Sequence, residues 1–260
     1  MLRGEQAWCA GELGELAGII GRLTRMGSEQ SSRNHESRLL LLGARFYLVR
    51  RQPASAAELA KAAWLAVGEA ESALRSRAIG LCAHALATRR RLAEALALAK
   101  PAAILANASR VVVEVAPLAY VVAALLLAGG HLTSARRHQR TFARKPELRK
   151  HPWHEALNQL LLSEEAWRRG ESAGAERHAA KARRSWPPQA PFMLRCATAY
   201  QTLKAYCLAQ QWSRAACCLE EIQREFWAVQ FLRLSTAAKA IRRRRLLIND
   251  FQPLAIFPCW

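Results

Sequence analysis

A tight turn recurs about every forty residues in this chain, and no other feature constrains the fold as strongly. Turn candidates fall at Arg51-Gln52-Pro53, Arg89-Arg90-Arg91, Gly129-Gly130-His131, Arg169-Gly170-Glu171 and Gln210-Gln211-Trp212. With Gln52, Arg90, Gly130, Gly170 and Gln210 as markers, the spacings are 38, 40, 40 and 40 residues. An apolar stretch of helical length precedes each marker, as in SRAIGLCAHALAT and HEALNQLLLSEEAW. A more polar stretch follows it, with alanine five residues on: Ala57, Ala95, Ala135, Ala175 and Ala215. Two antiparallel helices joined by a tight turn cross closely beside that turn, so a small side chain is required there. One such pair cannot bury both its faces; stacked pairs bury them against their neighbours.

Composition agrees with an all-helical reading. Ala, Leu and Arg dominate, and all three are strong helix formers. Of the 20 acidic residues only Asp250 is Asp; Glu suits helix interiors, whereas Asp competes with the backbone and prefers caps. The expected fold is all-α, a right-handed α-solenoid of about five antiparallel helix pairs with a C-terminal capping helix. Residues 1–34 are expected to hold a short helix around Glu12 to Arg25 and a polar loop. Residues 35–226 form the repeat domain. Residues 227–260 supply the capping helix and an apolar, proline-interrupted tail (DFQPLAIFPCW) expected to dock on its own chain.

The repeat resembles the tetratricopeptide motif. Gly170, Ala175, Ala182 and Pro187 match its turn glycine, its two alanines and its closing proline. Gly130, Leu132 and Ala135 match a second unit. Gln210, Trp212 and Ala215, with Tyr206 before the turn, match a third, and Leu92 and Ala95 a fourth. The resemblance spans residues 35–225, with units longer than the family's usual period of about 34 residues. In that length they are similar to the helical repeats of large bacterial transcriptional regulators. Residues 186–247 are similar to the helical tails of some multidomain bacterial serine/threonine kinases. A kinase itself is excluded: there is no glycine-rich phosphate loop and no catalytic loop, and Asp250-Phe251-Gln252 lacks the glycine of the metal-binding triplet.

The formal charge is +19, and it is uneven. Residues 131–260 carry 23 basic and 10 acidic side chains, against 16 and 10 in residues 1–130. Such a field favours acidic partners. Arg136, Arg140 and Arg144 recur every four residues and are expected on one helix face. Arg242, Arg243, Arg244 and Arg245 follow one another, so on a helix they would sweep around it. Arginine suits bidentate contact with phosphate or carboxylate. Aromatics interleaved for base stacking are absent from these clusters.

Chemistry finds little footing. No Walker loop, dinucleotide fingerprint or His-Glu-x-x-His pattern occurs. Glu164-Glu165 and Glu220-Glu221 are neighbours, which point about 100° apart on a helix and read as solvated faces. The seven cysteines form no Cys-x-x-Cys pair; scattered thiols in a reducing cytoplasm are expected, with one of Cys217 and Cys218 in the core. His151 and His154 read as a helix start, not as metal ligands. Val115 to Gly130 is apolar for 16 residues, short of the ~20 a membrane helix needs, so a buried repeat helix is expected and no membrane span.

The resemblance implies a binding function without catalysis, cofactor or metal. First helices of each pair would line a groove that takes a partner peptide or helix. A known tetratricopeptide mode grips a C-terminal carboxylate with Lys and Asn on those helices; here only His84, Glu164 and Lys204 are polar candidates, which favours an apolar or helical ligand. The alternative is a basic adaptor that binds nucleic acid or another polyanion in signalling or transcription control.

Overall fold

The computed structural model describes residues 3, 6, 7, 10, 12–25, 33–67, 72–108, 112–149, 152–186, 190, 192–225 and 234–244. The helices are α1 (Leu13–Arg25), α2 (Arg33–Val49), α3 (Pro53–Ala66), α4 (Ser72–Thr88), α5 (Leu92–Ala108), α6 (Val112–Ala128) and α7 (Leu132–Ala143). A four-residue helix α8 (Pro146–Arg149) follows, then α9 (Pro152–Arg168), α10 (Ser172–Arg184), α11 (Phe192–Leu208), α12 (Trp212–Glu225) and α13 (Leu234–Arg242). No strand occurs among the described residues. Consecutive helices pack as pairs, α2 on α3, α4 on α5, α6 on α7, α9 on α10 and α11 on α12. The first helices α2, α4, α6, α9 and α11 also pack against one another in that order.

One turn geometry is used five times. Arg51, Arg90, Gly130, Gly170 and Gln210 adopt φ of 57, 64, 77, 77 and 56°. The following residue in each case (Gln52, Arg91, His131, Glu171, Gln211) donates its N–H back to the carbonyl of Tyr47, Leu86, Leu126, Ala166 or Tyr206 at 2.8–3.0 Å. This is the Schellman closure of a helix. The carbonyl of that same residue accepts the N–H of Ala56, Ala95, Ala135, Ala175 or Ala215 at 2.9–3.1 Å, which starts the next helix. One residue thus ends the first helix and begins the second. Glycine takes the left-handed conformation freely, whereas Arg51, Arg90 and Gln210 hold it at a cost of roughly 1–2 kcal/mol each.

The first marker is therefore Arg51 and not Gln52, and the first alanine is Ala56 and not Ala57. Gln52 is the N-cap of α3 with φ −110° and ψ 65°, the place and conformation that His131 and Glu171 hold after their glycines, so the left-handed residue is the one before it. The corrected markers are 39, 40, 40 and 40 residues apart. All five alanines are buried.

First and second helices are buried differently. Every residue from Leu118 to Leu127 in α6 is buried, which requires neighbours on all sides. That accounts for the apolar run over residues 118–127, and no helix among the described residues is long and apolar enough to cross a membrane. Second helices bury one stripe only: Ala135, Gln139 and Phe142 on α7, and Ala175, Ala179 and Ala182 on α10. These are the i, i+4, i+7 positions of one face. At the ends, α1 packs on α2 and buries Leu16 and Ile19, while α13 packs on α12 and buries Ala237. The tail at 250–260 lies outside the described residues.

Candidate functional site

The three polar candidates of the first helices occupy one register. His84, Glu164 and Lys204 each lie six residues before a left-handed turn residue, and Arg45 and Ala124 complete the row. All five are buried, Glu164 and Lys204 completely. Being buried, they do not line an open groove, as the sequence suggested, and two of them meet. Glu164 on α9 and Lys204 on α11, forty residues apart, form a direct ion pair. The other Glu164 oxygen accepts Arg168 Nε at 2.8 Å, and Gln201 Nε2 donates to Glu164 at 2.9 Å. The Lys204 ammonium sits 4.0 Å from the centroid of the Trp167 ring. Burial alone would raise the Glu164 carboxyl, but the cations of Lys204 and Arg168, with the Lys204 and Gln201 hydrogen bonds, outweigh it and hold the group below its ordinary value.

Glu165 is buried too, so the solvated face expected for this acidic pair is not observed; Glu220 and Glu221 are exposed as expected. The two neighbouring acids of α9 point to opposite neighbours. Glu165 pairs with Arg169 at 2.7 Å and with Arg136 of α7 at 3.7 Å. Arg136 is half-exposed beside Glu165, while Arg140 and Arg144 are exposed. Two further bonds tie α7 and α10 to α9: Gln139 Nε2 donates to Asn158 Oδ1 at 2.7 Å, and Ser163 Oγ donates to the Ala175 carbonyl at 2.9 Å. On the first helices, Tyr120 of α6 donates its hydroxyl to the His154 carbonyl at 3.1 Å and stacks on that ring. His151 lies outside the described residues.

The arginine run at the C-terminus does not sweep around a helix. Helix α13 ends at Arg242, Arg244 is left-handed with φ 48°, and Arg242, Arg243 and Arg244 are exposed. Cations at a helix C-terminus are favoured by its negative end. Arg245 lies outside the described residues.

His84 is buried as the neutral ring, and burial pushes its pKa down to about 3. A folded-state value below the ordinary 6.5 means that unfolding takes up a proton between those values, so acidification destabilises. In that window the group removes up to about 1.4 kcal/mol of stability per pH unit. Urea midpoints measured from pH 7 to pH 4 should fall less steeply for His84→Gln than for the parent. Superimposable slopes would show that His84 is not held neutral.

An open groove of about 570 Å³ lies between the end of α10, one face of α11 and α12. Arg195, Thr198, Thr202 and Tyr206 of α11 line its floor. Their 3, 4, 4 spacing places them on a single helix face, a stretch about 16 Å long. Trp186 closes one wall, and Cys217 and Glu221 of α12 contribute to the other. Arg195 pairs with Glu225 at 2.7 Å across the groove, and Arg214 stands over the Tyr206 ring at 5.3 Å. Cys217 is exposed, whereas Cys218 is buried and donates its thiol to the Ala199 carbonyl at 3.6 Å. Burial pushes the Cys207 and Cys218 thiols up to about 12, so neither forms a thiolate near neutral pH. Among the described residues no three His, Cys, Asp or Glu side chains gather as metal ligands would.

Sequence reasoning missed this groove because its walls come from three helices. The only sequence signal was the half-polar α11 face, with Thr198, Thr202 and Tyr206 four residues apart in an otherwise apolar first helix. Compared with known proteins, the chain matches no family model, no curated protein and no solved structure.

Proposed function

We propose that this chain is a protein-interaction scaffold or regulatory adaptor that holds a partner peptide or helix and performs no covalent chemistry. Its architecture is read as a right-handed α-solenoid of tetratricopeptide type, about five antiparallel helix pairs closed by α13. The groove over α11 carries the reading. It combines a polar floor, an aromatic wall and cations beside their acids, which is the mixture a peptide backbone and its side chains require. An extended segment of about five residues spans 16 Å. The stack around the groove is held by buried pairs, so the floor is rigid and the ordering cost on binding is small. The working compartment is read as the cytoplasm, where the free thiols of Cys82, Cys196, Cys207, Cys217 and Cys218 stay reduced.

Ala199 lines the groove and is half-buried, so Ala199→Trp would fill it from the floor. Peptides selected by display on the parent protein should bind Ala199→Trp at least about tenfold more weakly by fluorescence anisotropy, equivalent to ~1.4 kcal/mol. Selected peptides that bind both proteins equally would place the binding site elsewhere.

A further inference from the structure

We propose that the outer faces of α7 and α10 form a docking surface for the phosphate backbone of nucleic acid, engaged without regard to base sequence. This rests on residues outside the groove and is independent of it. Helix α7 exposes Arg137 and Arg140, and its C-cap Arg144 is exposed as well; helix α10 exposes Arg177, Lys181 and Arg184. Each set follows i, i+3 or i+4, i+7, so each is one stripe of cations about 5–6 Å apart. Arg137 and Arg177, and Arg144 and Arg184, are forty residues apart. The buried rows Ala135, Gln139, Phe142 and Ala175, Ala179, Ala182 repeat with the same offset. Both helices flank α9 with those rows turned inward, so both stripes lie on the same side of the stack.

Among the described residues, none of these six cations is in ion-pair distance of a carboxylate. The nearby acids are engaged elsewhere: Glu165 by Arg169 and Arg136, Glu171 by Arg169, and Glu176 by Arg214. Helix α7 itself contains no acidic residue. Like charges at these spacings repel, so the face is complementary to a line of anions at similar intervals.

The chemistry of the face selects the partner. A membrane-surface helix needs apolar side chains to enter the acyl boundary, and the core of a protein interface needs aromatic or apolar anchors. Among the described residues the exposed large hydrophobics are Leu65 at 72% and Ile104 at 70%, one each on α3 and α5; neither is on α7 or α10, although Ile104 holds on α5 the register position forty residues before Arg144. A phosphodiester backbone needs only the cations. No aromatic side chain is exposed on either stripe, so nothing is offered for base stacking, and sequence-independent binding follows.

The test is fluorescence anisotropy of the full chain with two unrelated, labelled 25-base-pair DNA duplexes at 50 and 200 mM KCl. Both duplexes should bind within about twofold of each other, and affinity should fall roughly 10²–10³-fold over that salt range, as about five phosphate contacts require. The triple variant R140E/R144E/R184E should bind at least tenfold more weakly, with an unchanged thermal melt. The control R50E/K61E/R89E changes exposed residues by the same charge outside the two stripes and should lose less than threefold. Absence of binding at 50 mM KCl would overturn the proposal. So would equal losses in the two variants, which would assign binding to net charge, or tighter binding to phosphatidylserine vesicles than to DNA.

Discussion

Replacing Glu164 with leucine should destabilise the protein by about 3–5 kcal/mol, the usual result of removing one member of a buried ion pair. Glu164 and Lys204 are both completely buried. In Glu164→Leu the Lys204 side chain keeps the Trp167 ring but loses its anion, and Arg168 close by adds a like charge. Lys204→Met should cost less, because Glu164 retains Arg168 and Gln201. The double variant Glu164→Leu, Lys204→Met should recover most of the loss, since no charge is then buried without its counterion. Urea denaturation of the four proteins closes the cycle. A double variant no more stable than Glu164→Leu would show that the pair is not the source of the effect. Glu164→Leu should also gain stability as pH rises towards 10.5, the ordinary lysine value. Its buried amine stays neutral in the folded state and takes up a proton on unfolding, so stability rises with pH.

The second large effect is expected at the helix crossing. Ala175 is fully buried beside the Gly170 turn, its carbonyl accepts Ser163 Oγ at 2.9 Å, and a Cβ on adjacent Gly174 would stand 3.2 Å from the Ala166 Cβ. There is no space for three more heavy atoms. Ala175→Leu should cost ~3 kcal/mol, at the upper end for overpacking. Ala180→Leu, on the exposed side of the same helix, should stay within about 0.5 kcal/mol of the parent. Thermal melts compare the two directly. Equal effects would mean that helix propensity and not crossing distance sets the alanine at this position.

The turns and the pairing were legible because both depend on local chemistry: a residue able to adopt positive φ, a small residue five positions later, and apolar runs of helical length. The first turn was misplaced by one residue because neither Arg51 nor Gln52 is a glycine, so residue type does not mark which of the two takes the positive φ. The misplacement had a larger consequence, because with Gln52 as marker Arg45 falls out of the row that His84, Glu164 and Lys204 define. The forty-residue separation of Glu164 and Lys204 was the sequence signal for their pairing. Their burial was not legible, because it depends on how closely α9 and α11 stack. Arg136 illustrates the same limit from the surface side. Its spacing groups it with Arg140 and Arg144, but Glu165 on the next first helix diverts it. The groove could not be read from any one segment, since a space between three helices has no periodicity in the sequence.

The row Arg45, His84, Ala124, Glu164, Lys204 gives each level of the stack a different chemical label. A chain that slipped by one unit, or exchanged a unit with a second chain, would keep its turns and alanines but set Lys204 or Glu164 against the wrong neighbour. Lys204 parted from Glu164, or Glu164 parted from Lys204, leaves a buried charge without its nearest opposite. Near-identical connectors make the levels interchangeable in shape; the row makes them distinguishable in energy. The order of the levels is therefore encoded in the interior, and mis-stacked assemblies are disfavoured even though every connector in them is satisfied.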